Sequence, residues 1–183
     1  MNFTEKTIKE NYIYNGKIIN LRKDDIVLPD GNNAIREIVE HPGGVGIIAI
    51  NDKNEVALVN QFRYPYKKVI LEIPAGKKDS KTEKPVECAI RELKEETGVE
   101  AKNYIFLGNI YPTPGYCEEI IDIFLATDLT YGECKPDEDE FLEVKYINID
   151  KIVSMIMSNE ISDAKTIIGV FKAIEYLKKQ IKL

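Results

Sequence analysis

The run VGIIAI, residues 45–50, carries no polar side chain. Side chains along a strand point to opposite faces in turn, so a half-buried strand alternates apolar and polar residues. An unbroken apolar run, bounded here by HPGG and NDKN, reads instead as a strand buried on both faces. Further strand-like runs surround it in the sequence: EVALVNQFR, VILEIPAG, NYIFLGNIY, IIDIFLATDL and LEVKYINI. Helical patterns fall at about 85–97, 150–158 and 163–181, and in the last of these Ile167, Val170, Phe171, Ile174 and Leu177 recur at helical spacing. Strands and helices mixed around a central sheet place the chain in the α/β or α+β class.

Ahead of that strand, YNGKIINLRKDDIVL is rich in β-branched residues, PDGNN is a turn, and AIREIVEH returns as another strand. HPGG then interrupts, which divides the chain into a β-rich extension, residues 1–42, and a main domain, residues 43–183. With 183 residues the chain has room for one ordinary domain and a small extension. The net charge of −6 argues against nucleic acid as a partner, because phosphate binding needs a basic face. No apolar run approaches the roughly 18–20 residues of a membrane span, and MNFTEKTIKEN has no apolar signal core. Cys88, Cys117 and Cys134 show no paired spacing, which suits free thiols in a reducing cytoplasm. His41, the sole histidine, reads as a structural strand end.

The chemistry concentrates in RELKEETGVE, residues 91–100, which holds four acids. Pro85 suits a first helical turn and Gly98 the position just past the last. Between them Val86, Ala89, Ile90 and Leu93 form an apolar stripe, with Glu92, Glu95 and Glu96 on a neighbouring arc. Like charges one turn apart destabilise a helix. A hard cation with oxygen ligands, such as Mg²⁺, converts that repulsion into attraction. A solvated, purely surface acidic face is the plainer alternative on the carboxylates alone.

The wider pattern is more specific. Gly76, Glu83 and Arg91-Glu92-Leu93 followed by Glu95-Glu96 and Gly98-Val99 resemble the Nudix box, G-x5-E-x7-R-E-U-x-E-E-x-G-U with U apolar. Six residues rather than five separate Gly76 from Glu83, and the extra one falls in the polar loop KKDSKT. The resemblance implies an α/β/α sandwich with a mixed sheet, carrying here an N-terminal β-hairpin extension. It also implies Mg²⁺-dependent hydrolysis of a nucleoside diphosphate linked to another group, with Mn²⁺ as a substitute metal. Glu92 and Glu96 are then metal ligands with Glu95 alongside in catalysis, and the carbonyl of Ala75 is a further ligand. Glu83 and Arg91 form a structural tie.

VNQFRYP, LEIPAG and TPGYCEE, with Pro114 some fifteen residues past the box, resemble the ADP-ribose pyrophosphatase branch. By that resemblance Arg63 contacts phosphate, Arg36 packs against adenine, and Glu119 contacts substrate. The acidic segment PDEDEFLEV, residues 136–144, is similar to a loop that closes over the metals, with Glu138 as general base and Glu140 as a further ligand. A solvated loop is the alternative reading of that charge run. The start of the last helix, ISDAKTIIG, also resembles this branch. The implied protein is a cytoplasmic homodimer that exchanges its N-terminal hairpin and cleaves ADP-ribose to AMP and ribose 5-phosphate. A pyrophosphatase for a GDP-sugar, a dinucleotide or a flavin pyrophosphate is the first alternative. A catalytically silent nucleotide-binding domain is the second.

Overall fold

The computed structural model describes residues 2–80, 82–135 and 141–181. Ten strands and three α-helices run in the order β1 (Lys6–Asn15), β2 (Asn20–Val27), β3 (Asn33–Glu40), β4 (Gly44–Ala49), β5 (Glu55–Arg63), β6 (Lys68–Glu72), β7 (Ala75–Lys77), α1 (Pro85–Thr97), β8 (Val99–Ile110), β9 (Ile121–Tyr131), β10 (Leu142–Asn148), α2 (Ile149–Met157) and α3 (Ala164–Ile181). They form two compact units. One comprises Met1–Gly43 with Tyr111–Ile120, and the other Gly44–Ile110 with Ile121–Leu183.

In the first unit β1, β2 and β3 make an antiparallel meander, one strand more than the expected hairpin. The added strand, KTIKENYIYN, is exposed along almost its whole length, so no buried face imposes an apolar alternation on it. The turn from β1 to β2 closes with Gly16 N–H donating to Ile19 O at 2.9 Å. Residues 111–120 join this unit through β3: Val39 N–H donates to Tyr116 O at 2.7 Å, and Glu118 N–H donates to Val39 O at 3.0 Å.

The second unit is built on β4, which is buried at every position. In register it pairs parallel with β9 and antiparallel with β7, giving the mixed sheet β7-β4-β9-β8. A second, antiparallel sheet runs β10-β5-β6. Alternation along β4 divides its side chains between two cores. Val45, Ile47 and Ala49 pack with Cys88, Ala89 and Leu93 of α1. Ile48 and Ile50 pack with Ile152 and Ile156 of α2 and Val170 and Ala173 of α3. Helices therefore cover both sides of the sheet layer, the α/β/α sandwich expected. Each fully buried Ile or Leu here contributes about 1.5–3 kcal/mol relative to an exposed one. No helix among the described residues is long and apolar enough to cross a membrane.

Two helical faces differ from expectation. In α1, Ile90 is 43% exposed while Cys88 and Glu96 are buried, so the packed face is rotated toward Glu96. In α3, Phe171 is 43% exposed and Ala173 takes the core position. In both helices a small side chain lets the helix approach the sheet, and the larger residue beside it is left at the edge. The exposed aromatics include Phe62, Tyr64 and Tyr66 at the end of the β5–β6 hairpin, where Phe62 pairs across the strands with the exposed Val69.

Candidate active site

Helix α1 begins at Pro85 with Glu87 in its first turn and ends at Gly98, whose φ of 68° is the left-handed cap conformation. Gly98 N–H donates to Lys94 O at 2.9 Å. The helix lies against β7, and that contact organises its carboxylates. Glu96 is 1% exposed, and Ala75 N–H donates to its Oε2 at 2.9 Å. Burying a carboxylate is costly unless it is partnered, and this amide offsets part of the cost. A solvated face is thus ruled out for Glu96, which points into the protein where β7 supplies a donor.

Glu92 lies directly over Gly76. A Cβ on Gly76 would fall 1.9 Å from the Glu92 carboxyl carbon and 2.1 and 2.2 Å from its two oxygens. The glycine of the box is therefore the space that the Glu92 carboxylate occupies. Arg91 gathers the remaining acids. Its Nη1 donates to Glu92 at 2.7 Å and to Glu95 at 3.2 Å, and its Nη2 to Glu83 at 3.4 Å and to Lys77 O at 3.3 Å. Burial works against the Arg91 charge, but the Glu92 carboxylate, aided by Asp79, outweighs it and raises the guanidinium pKa. The tie from Arg91 to Glu83 is present, and it is longer than the contacts to Glu92 and Glu95.

A second set of charges lies beside the first. Arg63, at the end of β5, donates through Nε to Glu72 Oε1 at 2.6 Å. Desolvation opposes its charge, and Glu72, then Glu96 and Asp163, overcome this and raise its pKa. The side chain of Glu72 is 2% exposed, and its other oxygen, Oε2, takes Lys165 Nζ. Lys165 also meets Asp163 at 3.1 Å. Asp163 precedes the first residue of α3 and caps it, accepting from Thr166 N–H at 2.9 Å and from Thr166 Oγ1 at 2.6 Å. Ile73 N–H donates in turn to Thr166 Oγ1 at 2.9 Å, which fastens α3 to the strand end that leads into Pro74-Ala75-Gly76.

Residues 40–168 match the family described as NUDIX domain. The chain belongs to the NUDIX family. Residues 5–39 match a second family, the nucleoside diphosphate sugar hydrolase N-terminal domain. An ADP-ribose pyrophosphatase of Bacillus subtilis is 43% identical over 176 residues, 95% of this chain and 92% of that protein. A methanol dehydrogenase activator of Bacillus methanolicus is 42% identical over 180 residues, 97% of this chain and 95% of that protein. A crystal structure of an ADP compounds hydrolase superposes with a TM-score of 0.86 at 22% identity, with both chains fully covered, and so shares the fold.

In this NUDIX domain Glu92, Glu95, Glu96, Ala75 and Arg63 come together. Glu138 and Glu140 lie outside the described residues. Arg36 and Glu119 belong to the other unit. There Arg36 pairs with Glu5, and its Nη1 donates to Ile35 O at 3.0 Å. Glu119 Oε1 is 3.5 Å from His41 Nδ1, which accepts Gly43 N–H at 3.1 Å. His41 thus serves there as a turn residue, its ring held by the Gly43 amide. The donors around Gly76 suit a hard cation in kind, being all oxygen and crowded against a residue with no side chain. Among the described residues, however, no three His, Cys, Asp or Glu side chains converge closely enough to hold an ion. Arg91 occupies the space between Glu92 and Glu95. A recess of about 860 Å³ lined by Lys53, Glu55, Lys102, Asp128, Tyr131 and Tyr146 includes none of these acids. Sequence reasoning missed Glu72 and Lys165 as site residues. Asp163 followed by Thr166 at capping spacing was the local signal for the start of α3, but nothing local marks the partner of Lys165.

Proposed function

We propose that this NUDIX enzyme hydrolyses the pyrophosphate bond of ADP-ribose or a close nucleoside diphosphate sugar, giving AMP and ribose 5-phosphate from ADP-ribose. The observation that carries the reading is the Glu92 carboxylate seated on Gly76, with Glu96 buried beside it and Arg63 within electrostatic reach. Close similarity to an ADP-ribose pyrophosphatase along nearly the whole chain supports the substrate. Glu92 and Glu96, with the carbonyl of Ala75 and with Glu140, would hold Mg²⁺, for which Mn²⁺ would substitute. When bound, the metal neutralises phosphate charge and acidifies coordinated water.

The chain's own groups do the rest. Arg63 offers its guanidinium to the phosphates, a planar fork suited to phosphate oxygens. Arg36 and Glu119 contact the nucleotide. Glu138 takes the proton as water oxygen attacks phosphorus, and the bridging oxygen leaves with the other phosphate. Glu95 stands in reserve for that proton. The extension, residues 1–42, is exchanged between two copies of a cytoplasmic homodimer. Exposed Ile8, Tyr12, Ile13 and Tyr14 in that extension support an apolar partner.

The test is purified protein with Mg²⁺ against ADP-ribose, a GDP-sugar, a dinucleotide and a flavin pyrophosphate, with products identified. ADP-ribose turned over to AMP and ribose 5-phosphate with the highest kcat/KM is the expected result. Higher kcat/KM on a different substrate reassigns the specificity, and silence across the panel favours a binding domain.

A further inference from the structure

We propose that Lys165 is a positioning residue: by occupying one oxygen of Glu72 it keeps the Arg63 fork available to a substrate phosphate. This rests on the pyrophosphatase reading of the site.

A carboxylate can take an arginine through both of its oxygens at once, the strongest form of the pair. Glu72 does not hold Arg63 that way. Its Oε1 receives only Arg63 Nε, while Lys165 sits on Oε2. Both Nη groups of Arg63 are without a hydrogen-bond partner among the described residues. The exposure runs the same way. The Glu72 side chain is 2% exposed and that of Lys165 11%, whereas that of Arg63 is 37% exposed. The half-buried lysine and the buried glutamate thus form a base on which a more exposed guanidinium rests by one contact. Asp163 holds Lys165 from the other side at 3.1 Å and is itself fixed by capping α3. The four charges of Arg63, Glu72, Lys165 and Asp163 cancel.

Removing the Lys165 charge has two consequences in the same direction. Oε2 of Glu72 becomes available, so Arg63 turns both arms of its fork inward. The group also becomes net negative beside Glu96, which repels an incoming phosphate. Both weaken substrate capture more than the chemical step.

The experiment measures kcat and KM for ADP-ribose, with melting temperatures, in wild type, Lys165→Met, Lys165→Arg and the pair Glu72→Gln with Lys165→Met. Lys165→Met should raise KM about tenfold or more while kcat stays within about threefold. Lys165→Arg, which keeps the charge on Glu72, should recover most of the loss. The paired variant removes the carboxylate that captures Arg63 and should return KM to within about threefold of wild type. An unchanged KM in Lys165→Met overturns the proposal. If that variant does not fold, the paired variant, which leaves no unmatched charge on Glu72, decides. A tenfold higher KM in it would mean that Lys165 meets the phosphate directly, and the positioning role would be wrong. Wild type inactive on every substrate defeats the pyrophosphatase reading instead, which keeps the two failures distinct.

Discussion

Alanine at Gly76 separates function from stability. Gly76 is not among the residues in the left-handed region, so alanine fits its backbone without strain. The added Cβ meets the Glu92 carboxyl carbon at 1.9 Å, whereas ordinary contact begins at 3.4 Å, so the carboxylate must withdraw by about 1.5 Å. The carboxylate is the far end of a flexible side chain and can swing away cheaply. Glycine to alanine at a compatible site gains about 0.4–1 kcal/mol through the unfolded chain. Weakening the partly exposed Arg91–Glu92 pair costs about as much, up to about 1 kcal/mol. The two nearly cancel, and a residual of about 1 kcal/mol moves the Tm of a protein this size by about 2–4 °C. Catalysis has no such cancellation, because misplacing a site group by about 1 Å costs about 10²-fold. Gly76→Ala should therefore keep its melting temperature within about 4 °C and lose about 10²-fold in kcat/KM for ADP-ribose. Circular dichroism melts and product formation at several Mg²⁺ concentrations measure both. A loss below threefold would falsify the placement of Glu92 in the site. A drop in Tm beyond about 10 °C would make the close approach of α1 and β7 a matter of folding alone.

Glu96→Gln keeps an oxygen for Ala75 N–H but removes a charge, so turnover should fall by about 10²-fold or more. Its Tm without metal should hold or rise, and near-normal kcat at saturating Mg²⁺ would remove Glu96 from the site. Glu138→Gln should lower kcat by about 10²–10⁴-fold with the Mg²⁺ dependence unchanged, whereas Glu140→Gln should shift that dependence to higher concentration; the opposite pattern reverses the two roles. Burial, then Glu83 and Glu92, push the Cys88 thiol from 9.0 up to about 12. Because the folded state keeps this proton longer, the stability it confers is complete below pH 9 and is lost as pH rises toward 12. The slope is about 1.4 kcal/mol per pH unit. Urea unfolding at pH 8 and pH 10 should show a shallower alkaline decline in Cys88→Ala, and equal declines refute the assignment.

The elements that the sequence discloses are those whose signals are local. Proline at residue 85 and glycine at 98 bracket a helix found at Pro85–Thr97. The uninterrupted apolar run 45–50 holds β4, buried at all its positions. The strand β1 was legible only as part of a β-rich stretch, without bounds of its own, because a strand with no buried face carries no alternation to read. Ile90 and Phe171 share the helical spacing of their apolar neighbours yet lie half exposed, because spacing defines a stripe but not which edge of it the sheet touches. That edge is set by the small residues Cys88 and Ala173, through the depth of helix–sheet packing. Within the site, the three glutamates of α1 were visible together because one helix presents them. The link from Lys165 to Glu72 spans 93 residues. It depends on how α3 docks on the end of β6, which no short window encodes.

Residues 111–120 hydrogen-bond to β3 although about seventy residues of chain intervene. A ribosome delivers the meander's three strands first and this last partner only after β4 to β8 have emerged. Until then Val39 N–H and C=O have only water as a partner at that edge. An N-terminal fragment ending near residue 43 would thus lack part of its own unit, and removing those first residues would leave 111–120 without the strand they pair with. The two units must mature as interleaved pieces of one folding reaction, since neither is continuous along the chain.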